Sequence, residues 1–398
     1  MIMGGSAWTP RAHANNLRRF TAHFDARGSP LNNNDNQLDF AFVAELPLAA
    51  VAPKKRATRS KAAPPPARPA LAATLLSPIE TSPLLQPARA PADAPLLQTA
   101  ESMATALEAH PDYIVLRRLQ PRLQWPAATE GRGVCRVIVL DTETTGLEHS
   151  RDKIMELALL RVDVDLETGL PVGDVQVYDG LEDPGMPIPK EVQEITGITP
   201  DMVQDQRLDE ERIAALLDGV DLVIAHNAGF DRPFAEARMA QFRGLAWACS
   251  FADIPWKAQG RRSAKLESLA QEIGCFYDAH RAEMDCHALL AVLAANLPQL
   301  PHTGLAHLVE QAHRPSYRLM ATNAPFDAKD KLKARGYRWG AEQKVWHTRV
   351  GDGKALQTEF DWLKEHAYHQ RSAVVQFEKL DALVRYSTRP GELLHHQL

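Results

Sequence analysis

Hydrophobic positions along the chain fall into short blocks, each closed by a cluster of polar residues. Val134 to Leu140 is a largely apolar run rich in β-branched residues, the pattern of a strand buried on both faces. It ends in Asp141-Thr142-Glu143-Thr144-Thr145-Gly146. Loose apolar alternation from Ile154 to Val164 predicts a second strand, and Val172 to Tyr178 a third. Thr199 before Pro200 reads as an N-cap with proline at the first helical position, and a helix follows over about 208–217. Leu222-Val223-Ile224-Ala225 is a further buried strand, ending in His226-Asn227-Ala228-Gly229-Phe230-Asp231. Helical spacing then predicts helices near 230–241, 263–273 and 283–296. Three strands followed by helix, strand and helices imply an α/β sheet covered by helices.

The remainder of the chain is patterned differently. Residues 47–95 hold 11 of the 28 prolines, mixed mostly with alanine. Proline removes backbone donors and alanine offers little surface to bury, so residues 1–100 are expected to be disordered. The cluster Lys54-Lys55-Arg56 to Lys61 within them reads either as a solubilising linker or as a tether for nucleic acid or a partner. Residues 101–131 are expected to be a short lead-in, a helix and an extended piece. The α/β domain spans 132–300, a small module 314–371, and a tail 372–398 carries no readable signal.

Charge sharpens these boundaries. The whole chain is only mildly acidic at −5. Residues 131–313, however, carry 16 basic and 30 acidic side chains, net −14, whereas 314–371 carry 12 and 7, net +5. Such asymmetry marks modules with different partners. No stretch approaches the roughly 18 consecutive apolar residues of a transmembrane helix, so no membrane role is expected. Four scattered cysteines without a CxxC pair argue against a disulfide framework and structural zinc, and fit a reducing cytoplasm. Met1 to Phe20 lacks the apolar run of a secretory signal, while the first acidic residue, Asp25, leaves an organelle transit peptide open.

The candidate chemistry lies in carboxylates at strand ends. In an extended segment residues two apart project to one side, so Asp141 and Glu143 would aim at one point. Two carboxylates held together in a partly dry cleft call for a cation between them, and oxygen donors favour Mg²⁺ or Mn²⁺ over zinc. Asp231 lies just beyond another buried strand and could reach the same sheet edge. Asp285 shares its helix with an inward stripe of Leu289, Val292 and Leu293, so it points to the protein. His280, five residues earlier, offers a base that titrates near neutrality. Singly, each has an ordinary reading: a solvated acid pair, a helix-terminal charge, a surface histidine. Their joint order is more specific.

That order resembles the DEDD exonucleases of the histidine type, the family of the proofreading epsilon subunit of bacterial DNA polymerase III. The resemblance runs from about Val134 to Leu297. It implies an RNase H-like mixed sheet flanked by helices, and 3′-to-5′ removal of nucleoside 5′-monophosphates from DNA ends in repair or proofreading. It further implies that Asp141, Glu143, Asp231 and Asp285 hold two divalent cations and that His280 is the general base. Glu191 and Thr196-Gly197-Ile198-Thr199 resemble a loop that usually reads His-Gly-Ile in the family, so Thr196 stands where a histidine contacts the terminal nucleotides. Leu147 matches a residue that packs on a base, an assignment that competes with plain core packing, and Thr144 and Phe230 are candidate site-shaping residues. An RNA 3′-to-5′ exonuclease and a catalytically silent nucleic-acid-binding protein are the alternatives.

The 314–371 segment offers a second candidate surface. Lys329, Lys331, Lys333, Arg335 and Arg338 are interleaved with Tyr337, Trp339 and Trp346. This could join phosphate attraction to base stacking, dock a partner such as a polymerase or repair protein, or simply be a helix and hairpin whose tryptophans form its core. A small basic α+β module is expected, contributing the grip on DNA that a −14 core lacks.

Overall fold

The computed structural model describes residues 93–398. The disorder expected for 1–100 therefore falls mostly outside the described residues. Its last eight residues are helical, because helix α1 runs over Asp93–Glu108, in a unit that ends at Tyr113. Residues 114–398 belong to a second unit, which contains two five-stranded sheets and a two-stranded ribbon.

The first sheet is built from β2 (Val134–Thr144), β3 (Ile154–Asp165), β4 (Pro171–Leu181), β5 (Leu222–Ala225) and β6 (Trp247–Cys249), in the order β4-β3-β2-β5-β6. Strands β2, β3 and β4 pair antiparallel, whereas β2, β5 and β6 pair parallel. This is the mixed RNase H-like sheet expected from the sequence. A two-residue ribbon, β1 (Arg117–Arg118) with β7 (Cys275–Phe276), ties the lead-in segment to the domain.

Helices cover both faces. The first group is α2 (Lys190–Thr196), α3 (Pro200–Val203), α4 (Glu210–Leu217) and α5 (Ala228–Arg238); α6 (Ser250–Asp253), α7 (Leu266–Glu272), α8 (Ala282–Ala294) and α9 (Gly304–Ala312) follow. Alternation along β2 explains the two layers. Val137 and Val139 pack with Leu269, Leu289, Leu293 and Leu308, while Ile138 and Leu140 pack with Ile213, Leu216 and Phe234. All four β2 residues are fully buried, which is why the run reads as continuously apolar.

The second sheet corrects the expected boundary at 371. Strands β8 (Ser316–Ala321), β9 (Arg338–Gly340), β10 (Val345–Val350), β11 (Val374–Leu380) and β12 (Glu392–Gln397) form an antiparallel sheet ordered β12-β11-β8-β10-β9. Helices α10 (Lys329–Ala334) and α11 (Gly353–Trp362) pack on one face around Leu319, Leu332, Tyr337, Leu356 and Phe360. Residues 372–398 are thus no tail: β11 lies in the interior of the sheet. Their signal was weak because half of each strand faces polar surroundings and β12 carries two histidines.

The β11–β12 connection also enters the first domain. Arg232, on α5, is completely buried and donates to the carbonyls of Ala382 (3.0 Å), Arg385 (2.6 Å) and Leu383. It also pairs with Glu236 at 2.7 Å. Trp247 N–H of the edge strand β6 donates to Ala382 O at 2.8 Å, and Arg385 and Tyr386 both reach Asp253. The module is therefore clamped to the nuclease-like sheet, and a picture of separable halves does not hold. Arg232→Leu strands those carbonyls and part of the Glu236 charge, and is expected to cost about 3–5 kcal/mol, the range for breaking a buried ion pair. Chemical denaturation checks it; a midpoint within error of the parent would contradict the clamp.

Among the described residues no helix is long and apolar enough to cross a membrane, and all four cysteines are thiols.

Candidate active site

The site sits where β2 outruns β5, whose pairing with it ends at Leu140–Ala225 while β3 continues alongside. Strand β2 continues through Thr144, so Asp141 and Glu143 lie within it, and the pairing slips at a bulge between Glu143 and Thr144. By alternation both acids share the α8 side of the sheet with Val137 and Val139. The first turn of α8 brings Asp285 to them. One carboxylate oxygen from each of Asp141, Glu143 and Asp285 lies within 4.8 Å of the others.

Asp231 approaches from the other layer. It is 2% exposed in α5, and the hydroxyl of Thr142, which points to that layer, donates to its Oδ1 at 2.8 Å. Asn227 caps α5 in the left-handed region at φ 74°, a conformation asparagine tolerates better than most residues. That turn sends the helix back across the end of β2.

Burial and mutual repulsion set the charge of the cluster. Loss of solvent, then Asp231, Asp285 and Glu143, hold Asp141 well above the usual carboxylate range. Burial pushes Glu143 up to about 8, reinforced by Asp285 and Glu156. Asp231 is raised to about 7, chiefly by burial and against the Thr142 hydrogen bond, and burial raises Asp285 as well. Acids this close hold protons unless a cation lies among them. An acceptor-only set of hard oxygens at this spacing fits a divalent cation.

A pH dependence follows with a definite sign. In the cation-free protein Asp231 keeps its proton to about pH 7 and Glu143 to about pH 8, whereas in the unfolded chain both lose theirs at about pH 4. Between those limits the folded form binds more protons, so rising pH weakens it. A cation must expel those protons, so the increase in melting temperature given by Mn²⁺ over EDTA should be larger at pH 8 than at pH 5.5. An increase equal at both pH values would contradict the protonated cluster.

Several supporting residues escape a sequence reading. Glu156 lies opposite Glu143 across β2–β3 and is fully buried. It accepts from Arg281 at 2.7 and 2.9 Å and from Ala282 N–H at 3.0 Å, pinning the start of α8. Tyr277 donates to Asp285 Oδ1 at 2.7 Å, and His280 N–H donates to Oδ2 at 2.8 Å. Glu156 was discoverable as a lone charge in the apolar run Ile154-Met155-Glu156-Leu157, but its partner lies 125 residues away.

His280 precedes α8 in the left-handed region at φ 66°, exposed to solvent. Its ring is close enough to Asp285 to favour that acid's charged form. Leu147 is 52% exposed beyond the acidic strand end, contrary to plain core packing. Phe230 is half-buried against Phe234, with ring centroids 5.0 Å apart. Glu191 lies exposed on α2.

Two residues turn their hydroxyls inward. Thr144 donates to Gly146 O at 2.6 Å. Thr196, buried, donates to Val192 O and accepts from Ile198 N–H, closing α2 before Gly197. His226, in the second motif, lies 2.7 Å from Ser250 Oγ, and burial holds it near 4, so it is neutral.

Known proteins share this domain. Residues 138–293 match the RNase_T family model, described as Exonuclease. A PolC-type DNA polymerase III from Thermotoga petrophila is 30% identical over 179 residues, covering 44% of the chain and 13% of the polymerase. The DNA polymerase III subunit epsilon of Treponema pallidum is 29% identical over 188 residues, covering 45% of the chain and 83% of the subunit. The chain thus spans about an eighth of the PolC-type relatives. Among solved structures, E. coli Exonuclease I in complex with a dT13 oligonucleotide aligns at 17% identity and TM-score 0.36, covering 46% of this chain and 48% of that one. Exonuclease X in complex with 5′-overhanging duplex DNA aligns at 21% and 0.29, covering 44% and 99%.

Proposed function

We propose that this protein is a 3′-to-5′ exonuclease that removes nucleoside 5′-monophosphates from DNA 3′ ends during repair or replication proofreading. The observation that carries this reading is the convergence of Asp141, Glu143 and Asp285 within 4.8 Å, with buried Asp231 beside them, inside the segment that matches the Exonuclease family model. The four acids would hold two divalent cations, Mg²⁺ or Mn²⁺, which when bound supply Lewis-acid stabilisation of charge on the phosphate and the leaving 3′-oxygen.

The side chains do the rest. His280, exposed at the surface, takes the proton from the attacking water. Tyr277 and the His280 N–H fix the rotamer of Asp285, while Arg281 and Glu156 hold the first turn of α8 in place. Leu147 offers an exposed apolar surface for the terminal base, and Phe230 shapes the floor beside Asp231. Glu191 would face the substrate from α2. Thr144 and Thr196 act through the loops their hydroxyls brace, since neither hydroxyl is turned outward.

The relatives named above are polymerase III proteins, which favours DNA as the substrate and a polymerase as a partner. The test is to incubate the protein with labelled single-stranded DNA, duplex DNA and RNA in Mg²⁺, Mn²⁺ or EDTA. Cation-dependent shortening of DNA ahead of RNA is expected. Faster RNA trimming would replace the substrate class, and no shortening of any strand would leave a binding protein.

A further inference from the structure

The second sheet has one face packed on α10 and α11 and another that is not covered by them. Cross-strand register places Arg338, His347 and Met320 in one row of that second face, and Arg349, Arg318 and Glu378 in the next. Three guanidinium groups thus lie in adjacent rows; Arg318 sits 3.6 Å from Glu378 and donates to Gln343 Oε1 at 2.5 Å. The crowding acts on its neighbour: burial, and then Arg318, Arg349 and Arg338, lower the proton affinity of His347. Lysines of α10 are differently placed. Lys331 donates to His366 O at 3.1 Å, Lys329 lies over the Phe326 ring, and Arg335 is paired with Glu359 at 2.7 Å.

This arginine face opens into a cleft of ≈ 250 Å³, lined in part by Arg318, Arg349, Tyr386, Ser387, Thr388 and Arg389. Tyr386 forms its far wall. The Arg349 guanidinium lies 5.7 Å from the Tyr386 ring centroid. On its other side Tyr386 meets the first turn of α5: a methyl group built at Gly229 would stand 4.0 Å from that ring. Gly229 is two residues before Asp231. Tyr386 thus lines the cleft and also touches the helix that carries one of the four acids.

We propose that the Arg318–Arg338–Arg349 face and the adjoining Tyr386 cleft bind the sugar-phosphate backbone of single-stranded DNA upstream of the end being cut. The nature of the ligand rests on the exonuclease reading. Charge supplies the argument: a core of net −14 repels a polyanion, and the module of net +5 gathers three arginines on one face of its sheet. Clamped through Arg232, that face keeps a fixed position relative to α5, so a strand held there is presented to the acids rather than merely captured nearby. Backbone contacts of this kind carry no base preference.

The experiment uses the full chain carrying Asp141→Asn, so that the strand is not consumed, with binding of fluorescent dT30 followed by anisotropy across a salt series. Adding Arg338→Gln and Arg349→Gln should weaken binding about tenfold at 100 mM salt. It should also flatten the log–log salt slope by about 1.4, or about 0.7 for each lost phosphate contact on a single strand. Lys354→Gln with Lys364→Gln removes the same charge from the α11 side and should leave the slope unchanged. Equal losses in both pairs would mean diffuse attraction and overturn the proposal, as would an arginine pair that binds like the parent. Displacement of dT30 by polyglutamate at matched charge would assign the face to an acidic protein and overturn it too. Hydrolysis by the parent chain is scored separately: absent hydrolysis with the arginine effect intact would sink the exonuclease reading and spare this face.

Discussion

Asp141→Asn should lower the turnover number by about three powers of ten or more, and at the same time stabilise the cation-free protein. The two effects have one cause. Asp141 is the acid most crowded by the others, with Asp231, Asp285 and Glu143 all raising its proton affinity beyond what burial does. Removing its charge takes away a ligand whose loss withdraws several kcal/mol of transition-state stabilisation. It also removes repulsion that the fold otherwise tolerates, so melting in EDTA at pH 8 should rise while activity vanishes. Unchanged turnover would refute the cation assignment, and lost activity with a collapsed melting temperature would indicate a merely structural acid.

His280→Ala should lower turnover by about two to four powers of ten, the usual range for a missing general base. The backbone at φ 66° complicates a single variant, because alanine tolerates the left-handed region less well than histidine or asparagine. His280→Asn keeps that tolerance and removes only the basic ring, so the two variants should be equally slow. The His280 N–H to Asp285 bond survives in both. The Mn²⁺-induced rise in melting temperature should therefore stay near the parental value, in contrast to Asp285→Asn, where it should fall sharply. If His280→Asn loses the Mn²⁺ effect as fully as Asp285→Asn, the histidine is a ligand and its assigned role is wrong.

Local pattern revealed the catalytic sheet well. Val137–Leu140 and Leu222–Ala225 are buried on both faces and carry an unbroken apolar signal, and Asp141, Glu143 and Asp231 follow them at strand ends or just beyond. The helix of Asp285 was equally readable because Leu289, Val292 and Leu293 form its stripe. Partners distant in sequence were not readable. Glu156 with Arg281, and Arg232 with the carbonyls of residues 382, 383 and 385, are long-range pairs that no periodicity marks. The same limit explains 372–398, whose β11 acquires meaning only by pairing between β8 and β12. Thr196 shows a different limit: its place in the family-like loop suggested a contact to nucleotides that its departure from histidine would alter, and its hydroxyl closes a helix end.

The central claim is that this site cuts the terminal phosphodiester of a DNA 3′ end and leaves the phosphate on the released nucleoside. A strand carrying one radiolabelled phosphate between its last two nucleosides tests it directly, in Mn²⁺ with the parent chain. Labelled nucleoside 5′-monophosphate should appear as the first product, before any shorter labelled strand. Label left on the shortened strand as a 3′-phosphate, or released first within an oligonucleotide, would contradict the account.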